Sequence, residues 1–302
     1  MAKPAFLFPG QGAQTAGMGR QLVQMPQAKQ VFDRAASILG YDLLAICLEG
    51  PAEKLDSTVF SQPALFVTSL AAVEWLRVNK PEVVAACQAV AGLSLGEYTA
   101  LVFADVMSFE DGVRVVQERG RAMQDASDAV PSGMLSILGL GREPIEKLCE
   151  EAKHPGEILQ TANFLCPGNI VVSGHKPACE RVAQLADKAG AMKTIPLAVA
   201  GAFHTPLMQP AVERLKSALA GVKLNKPRIP VISNVDAAAH DDPEQIRELL
   251  VKQVVSPVLW EDSLRKMLAH GHSPFWEVGP GRVMRGLLKR IDRKAESDGV
   301  EC

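Results

Sequence analysis

Short apolar runs alternate with helical periodicities along most of the chain. Ala5-Phe6-Leu7-Phe8 is a four-residue apolar run closed by Pro9-Gly10, which predicts a buried strand followed by a turn. Val83 to Ala91 is apolar and rich in small residues, and predicts a second strand. Gly92-Leu93-Ser94-Leu95-Gly96 follows it and leads into a helical pattern over Glu97 to Ala104. Strands of this kind separated by helices predict an α/β body with a parallel sheet.

The middle of the chain reads differently. Strands are predicted at Met134 to Leu140, Glu157 to Ala162, Ile170 to Ser173 and Met192 to Val199. Helices are predicted at Glu143 to Lys153 and at Lys176 to Ala189, the latter with Pro177 near its start and Gly190 at its end. The order β-α-β-β-α-β is ferredoxin-like. Residues 129–199 are therefore expected to be a ferredoxin-like subdomain inserted into an α/β-hydrolase-like catalytic body made of 1–128 and 200–302. In the second part of that body, Thr205-Pro206 predicts a helix start and Gly221 its end. The polar tail after Arg293 is expected to fray.

The 302 residues, 47% hydrophobic and 22% charged, suffice for a main core plus an insertion. A formal net charge of −2 gives no general attraction to nucleic acid, so any basic site must be local. The six cysteines show no C-x-x-C pair, which predicts reduced thiols and no metal. The first apolar run is too short for a signal peptide, and no window approaches the roughly 20 consecutive apolar residues of a spanning helix. A cytoplasmic protein without membrane contact is expected, with monomer as the default state.

Gly92-Leu93-Ser94-Leu95-Gly96 fits a nucleophile elbow. The serine of such an elbow occupies a strained turn, and glycines at positions −2 and +2 avoid backbone clashes. A turn that needs two glycines for structure alone would look the same. In the elbow reading, the Leu95 N–H lies at a helix N-terminus, where it can donate to a developing oxyanion. Of the six histidines, His204 stands out because it sits at a loop-to-helix boundary after a predicted strand, where its ring can be aimed into a cleft. Packing at the boundary would also place a histidine there. The spacing supplies no acid for a triad. Pro9-Gly10-Gln11-Gly12-Ala13-Gln14 is a second candidate donor loop, or a plain tight turn. It lacks the G-x-G-x-x-G spacing and the Lys-Ser/Thr ending of nucleotide loops.

Pro9-Gly10-Gln11-Gly12, Gly92-Leu93-Ser94-Leu95-Gly96-Glu97-Tyr98, Gln117-Glu118-Arg119-Gly120 and Gly201 to Met208 occur in that order. Pro257-Val258-Leu259-Trp260 and Glu277-Val278-Gly279-Pro280-Gly281 follow. As an ordered set covering nearly the whole chain, they make it resemble the malonyl-CoA:acyl carrier protein transacylases. The resemblance implies that Ser94 is acylated by malonyl-CoA with His204 as base, and that the malonyl group passes to the thiol of acyl carrier protein. It further implies an oxyanion hole from the Gln11 and Leu95 amides, a malonyl carboxylate clamped by Arg119, and a Gln253 backbone carbonyl that orients His204. No cofactor is implied, since coenzyme A enters as the thioester substrate. A planar guanidinium fork suits a carboxylate; without the resemblance Arg119 would read as one more arginine on a helix.

Two positions depart from many relatives: Leu93, where histidine is common, and Asn169, where glutamine is common. They bear on substrate detail and, for Asn169, on acyl-chain or pantetheine contacts. Arg282, Arg285, Lys289, Arg290, Arg293 and Lys294 form a basic stretch suited to an acidic carrier protein or to coenzyme A phosphates, or simply a solvated helix face. The rival activities are an acyl thioesterase with the same Ser-His pair and a carrier-binding module without catalysis.

Overall fold

The computed structural model describes residues 2–302 and holds nine strands among them. They are β1 (Ala5–Phe8), β2 (Ala89–Gly92), β3 (Ser132–Leu138), β4 (Leu159–Cys166), β5 (Asn169–His175), β6 (Lys193–Pro196), β7 (Val231–Ile232), β8 (Phe275–Glu277) and β9 (Ser297–Gly299). Five of them form a parallel sheet in the order β7-β2-β1-β8-β9. The α/β body is thus as the alternation of runs predicts.

Strand β1 lies at the centre and is buried on both faces, as a continuous apolar run requires. Phe6 and Phe8 pack into one core with Phe66, Tyr98 and Phe103, on the side of the helices Thr58–Asn79 and Leu95–Phe103. Ala5 and Leu7 face a second core with Trp260, Leu264 and Leu288 of the helices Trp260–Ala269 and Val283–Ile291. Each buried phenylalanine contributes on the order of 1.5–3 kcal/mol. The register pairs Ala5 with Ala89 and Phe8 with Gly92. Both strands therefore end at the same level, and the Gln11 loop is brought beside Ser94. Open parallel sheets place their sites at this carboxyl edge.

The other four strands form an antiparallel sheet in the order β4-β5-β3-β6. With the helices Arg142–Ala152 and Lys176–Lys188 they give the predicted β-α-β-β-α-β unit. This unit is joined to the body at several points. Phe164 N donates to Val258 O at 3.0 Å and Val258 N to Ala162 O at 2.8 Å, so the 258 segment pairs with β4 at its bulge. Ala202 N donates to Ser132 Oγ at 3.1 Å.

Three expectations need correction. Only the end of the Val83 to Ala91 run is a strand; Pro81 starts a helix over Pro81–Ala86 with no buried residue. Proline is favoured at a first helical position, and that local start overrides the apolar composition. The last strand of the small unit stops at Pro196. The tail after Arg293 does not fray, because β9 adds to β8 and Val300 is buried. One helix is longer and more apolar than the runs of the sequence suggest. Thr58–Asn79 is long and apolar enough to cross a bilayer, with a mean hydropathy of 1.3 in its most apolar window, but 78% of that window is buried inside the body.

Candidate active site

Ser94 stands between β2 and the helix Leu95–Phe103 with φ 50° and ψ −97°, a left-handed conformation that costs a non-glycine residue about 1–3 kcal/mol. The flanking glycines are sterically required. A Cβ on Gly92 would lie 1.9 Å from the Gly96 carbonyl carbon, and one on Gly96 would lie 2.2 Å from Phe8 O. Gly10 serves the neighbouring loop likewise, since a Cβ there would meet Leu93 O at 2.3 Å. The turn is held by Asn234, which is fully buried after β7. Ser94 N donates to Asn234 Oδ1 at 2.6 Å, and Asn234 Nδ2 donates to Gly92 O at 2.8 Å.

His204 reaches the same point from the other side of the cleft. Its Nε2 lies 2.9 Å from Ser94 Oγ and its Nδ1 2.9 Å from the backbone oxygen of Gln253. A carbonyl only accepts, so Nδ1 carries the proton and Nε2 is left to take one from Ser94. Gln253 ends the helix Pro243–Gln253, where carbonyls lack intrahelical partners and the dipole is negative. The carbonyl at that end stands where the sequence offered no acid. The His204 backbone, with φ 62°, is held from both halves of the molecule: its N donates to Val254 O at 3.1 Å and its O accepts from Gln160 Nε2 of β4 at 3.1 Å. Burial pushes the imidazole down to about 4; the Gln253 carbonyl opposes this and the nearby Arg119 charge adds to it.

Arg119, on the helix Phe109–Asp128, is 1% exposed. Its Nη1 donates to Gln62 Oε1 at 2.8 Å, and its Nη2 donates to Ser94 Oγ and to Gln253 Oε1, both at 3.0 Å. These partners are all neutral. Burial works against the Arg119 charge, and the neighbouring Tyr98, whose ring centroid lies 5.2 Å from the guanidinium carbon, and Glu97 oppose that effect.

The Gln11 loop completes the site from the end of β1. Gln11, Ser94, Leu95, Arg119 and His204 all line one cleft of about 120 Å³. Its far wall is apolar and comes largely from the small unit, with Met134, Leu165, Val171 and Leu197. The Leu95 amide is the first of its helix and has no intrahelical acceptor to serve. The four residues that the sequence analysis singled out around the serine, Gln11, Leu95, Arg119 and His204, thus converge on it, and Gln253 stands directly behind them. Leu93 lines the cleft, whereas Asn169 lies at the start of β5, where its Oδ1 accepts from Ser136 Oγ at 2.9 Å.

The basic stretch is partly used up within the fold. Arg285 Nε lies 3.3 Å from the buried Glu277 carboxylate, and Lys289 Nζ donates to Ala295 O at 2.6 Å. Arg290, Arg293 and Lys294 remain exposed. Sequence reasoning missed Asn234, Glu97, Gln62 and Gln160. The visible signal was polarity inside apolar helices for Glu97 and Gln62, and position just after a strand for Asn234.

A family model of the acyl transferase domain matches residues 5–299. The human mitochondrial malonyl-CoA-acyl carrier protein transacylase is 44% identical over 300 residues, which cover 96% of this chain and 77% of the relative. The solved structure of the malonyl CoA-acyl carrier protein transacylase from Coxiella burnetii superposes with a TM-score of 0.94 at 40% identity, covering 99% of this chain and 93% of that one. A malonyl-transacylase solved in complex with the holo form of a type II PKS acyl-carrier protein superposes with a TM-score of 0.94 at 38% identity, covering 99% and 96%. With likeness running through the whole chain and through both sheets, the protein belongs to the malonyl-CoA:acyl carrier protein transacylase family of acyl transferase domains.

Proposed function

We propose that the protein moves a malonyl group from malonyl-CoA to the phosphopantetheine thiol of an acyl carrier protein through a malonyl-Ser94 ester. The observation that carries this reading is a buried guanidinium, hydrogen-bonded to neutral groups only, touching the hydroxyl that His204 can deprotonate. His204 Nε2 takes the Ser94 Oγ proton as Oγ attacks the thioester carbonyl. The Gln11 and Leu95 amides hold the oxyanion. The coenzyme A thiolate leaves and takes the proton from His204. In the second half the carrier thiol gives its proton to His204, attacks the ester, and Ser94 departs as the hydroxyl. Arg119 receives the malonyl carboxylate in two parallel charge-assisted bonds. An acetyl group would leave that charge without its partner.

The division into a body, 1–128 with 200–302, and an inserted unit, 129–199, suits this scheme, because each supplies one wall of the cleft. Every group named comes from one chain, which supports a monomeric working unit. Cytoplasm is the proposed location; the human relative carries a mitochondrial name. The exposed Arg290, Arg293 and Lys294 are the basic residues left to meet an acidic carrier.

The test is intact-protein mass after brief mixing with malonyl-CoA or acetyl-CoA, for wild type and Arg119→Ala. Wild type gains a malonyl adduct that carrier protein removes, and Arg119→Ala loses the preference for malonyl over acetyl by about a hundredfold or more. Free malonate in place of an adduct would make the protein a thioesterase.

A further inference from the structure

Behind the cleft lies a second layer of buried polar groups that the transfer scheme does not use. Its centre is Glu97, 3% exposed, on the first turn of the helix that Ser94 opens. A carboxylate in that position is costly, so its partners should show what it does. Glu97 Oε2 accepts from Gln253 Nε2 at 2.6 Å and from the Asn234 backbone N at 3.2 Å. Both of these residues also meet groups of the transfer site. Asn234 grips the Ser94 amide, as described above.

Gln253 is the branching point. Its Nε2 also donates to Ser94 O at 3.0 Å, while its Oε1 accepts from Arg119 Nη2 and its backbone O faces His204 Nδ1. The orientation of a glutamine amide must be read from its neighbours. Here the neighbours admit one answer. Arg119 has donors only, so the oxygen must face it, and the NH2 must then find acceptors on the opposite side. Ser94 O and Glu97 Oε2 are those acceptors. Without an acceptor at position 97, Nε2 keeps a single partner, and the amide can rotate away from Arg119.

We infer that Glu97 is a positioning residue of the transfer site: its acceptor oxygen fixes the Gln253 amide and the Asn234 backbone, and through them the Arg119 fork and the Ser94 turn. This rests on the transfer reading above for its functional readout. The role belongs to an oxygen at that point more than to a negative charge. Burial raises the Glu97 carboxyl to about 7, against the effect of its hydrogen bonds, and a protonated carboxyl still offers an acceptor oxygen.

The experiment measures the ratio of Ser94 acylation rates with malonyl-CoA and acetyl-CoA at pH 8. Glu97→Leu removes the acceptor at similar volume, and the ratio falls about tenfold, the usual scale for losing a supporting hydrogen bond behind a working residue. Glu97→Gln puts an amide oxygen in the same place and keeps the ratio within about threefold. Gln253→Leu, which retains the backbone carbonyl, matches Glu97→Leu, and the double variant falls no further. A folded Glu97→Leu protein with the wild-type ratio overturns the inference, and so does a Glu97→Gln protein as impaired as Glu97→Leu. Should Glu97→Leu not fold, Glu97→Ala is read the same way. A crystal structure of the variant decides independently of activity: Arg119 Nη2 leaves Ser94 Oγ if the inference holds, and an unmoved Arg119 refutes it. Wild type acylated by neither thioester would count against the transfer reading, while that crystal structure would still judge Glu97.

Discussion

The titration of His204 gives the sharpest quantitative test of the site. An imidazole with the ordinary value of 6.5 would lose its role as base below neutrality, whereas burial holds this one down to about 4. At pH 5.5 the ordinary ring would be only ~10% neutral, and the buried ring ~97% neutral. The Ser94 acylation rate at pH 5.5 should therefore stay within about twofold of that at pH 7.5, and fall only near pH 4. The measurement is single-turnover acylation by rapid quench and intact mass, at constant ionic strength. Acetyl-CoA should be run beside malonyl-CoA, because it has no ionising group at the reacting end. The Arg119 charge adds to the depression, so Arg119→Ala should move the acid limb upwards. A tenfold decline between pH 7.5 and 5.5, with an apparent value near 6.5, would refute the reasoning: the ring would then be solvated and the site open to water.

Three more expectations follow from the geometry. Gly96→Ala should destabilise by about 3 kcal/mol or more and abolish acylation, since its Cβ would meet Phe8 O at 2.2 Å and push the elbow off β1; denaturant unfolding and the mass assay check both. Asn234→Asp keeps an acceptor for Ser94 N but loses the donor to Gly92 O and buries a second carboxylate beside Glu97, so a loss of about 3 kcal/mol and slower acylation are expected. For Glu97 the sign runs opposite to His204. Its value is raised from 4.5 to about 7, so the folded state holds a proton that the unfolded state has released, and stability falls as pH rises through that window. Glu97→Gln should accordingly melt a few degrees above wild type at pH 8, with the gap closing towards pH 4.5.

Ser94 and His204, the proposed nucleophile and base, were legible because their local geometry demands particular residues. An elbow needs glycines on either side of Ser94, and His204 precedes a Thr-Pro helix start whose Thr205 side chain does accept from Leu207 N. Arg119 was not legible alone, since nothing in a helical periodicity separates a buried arginine from a solvated one; only the ordered resemblance raised it. Gln253 entered through the same resemblance and for its backbone alone. Its side-chain work, like that of Asn234 and Glu97, depends on contacts between segments more than 130 residues apart, which no local pattern encodes. The Val83 run and the terminal tail were misread for related reasons. A proline-initiated helix and an added edge strand are decided by neighbours that the run itself does not contain.

The pairing of Val258 with β4 has a consequence for recombining proteins of this architecture. Residues 253–258 meet the His204 imidazole at one end and are stitched to the small sheet at the other. A hinge that swung the small unit outwards would pull on the carbonyl that His204 Nδ1 meets. A chimera that exchanged 129–199 alone would graft a foreign β4 onto a native 258 segment and would also replace Gln160, whose side chain grips the His204 backbone from that side. The transplantable cassette is therefore discontinuous: the small sheet and the strand-like segment around Val258 have to travel together.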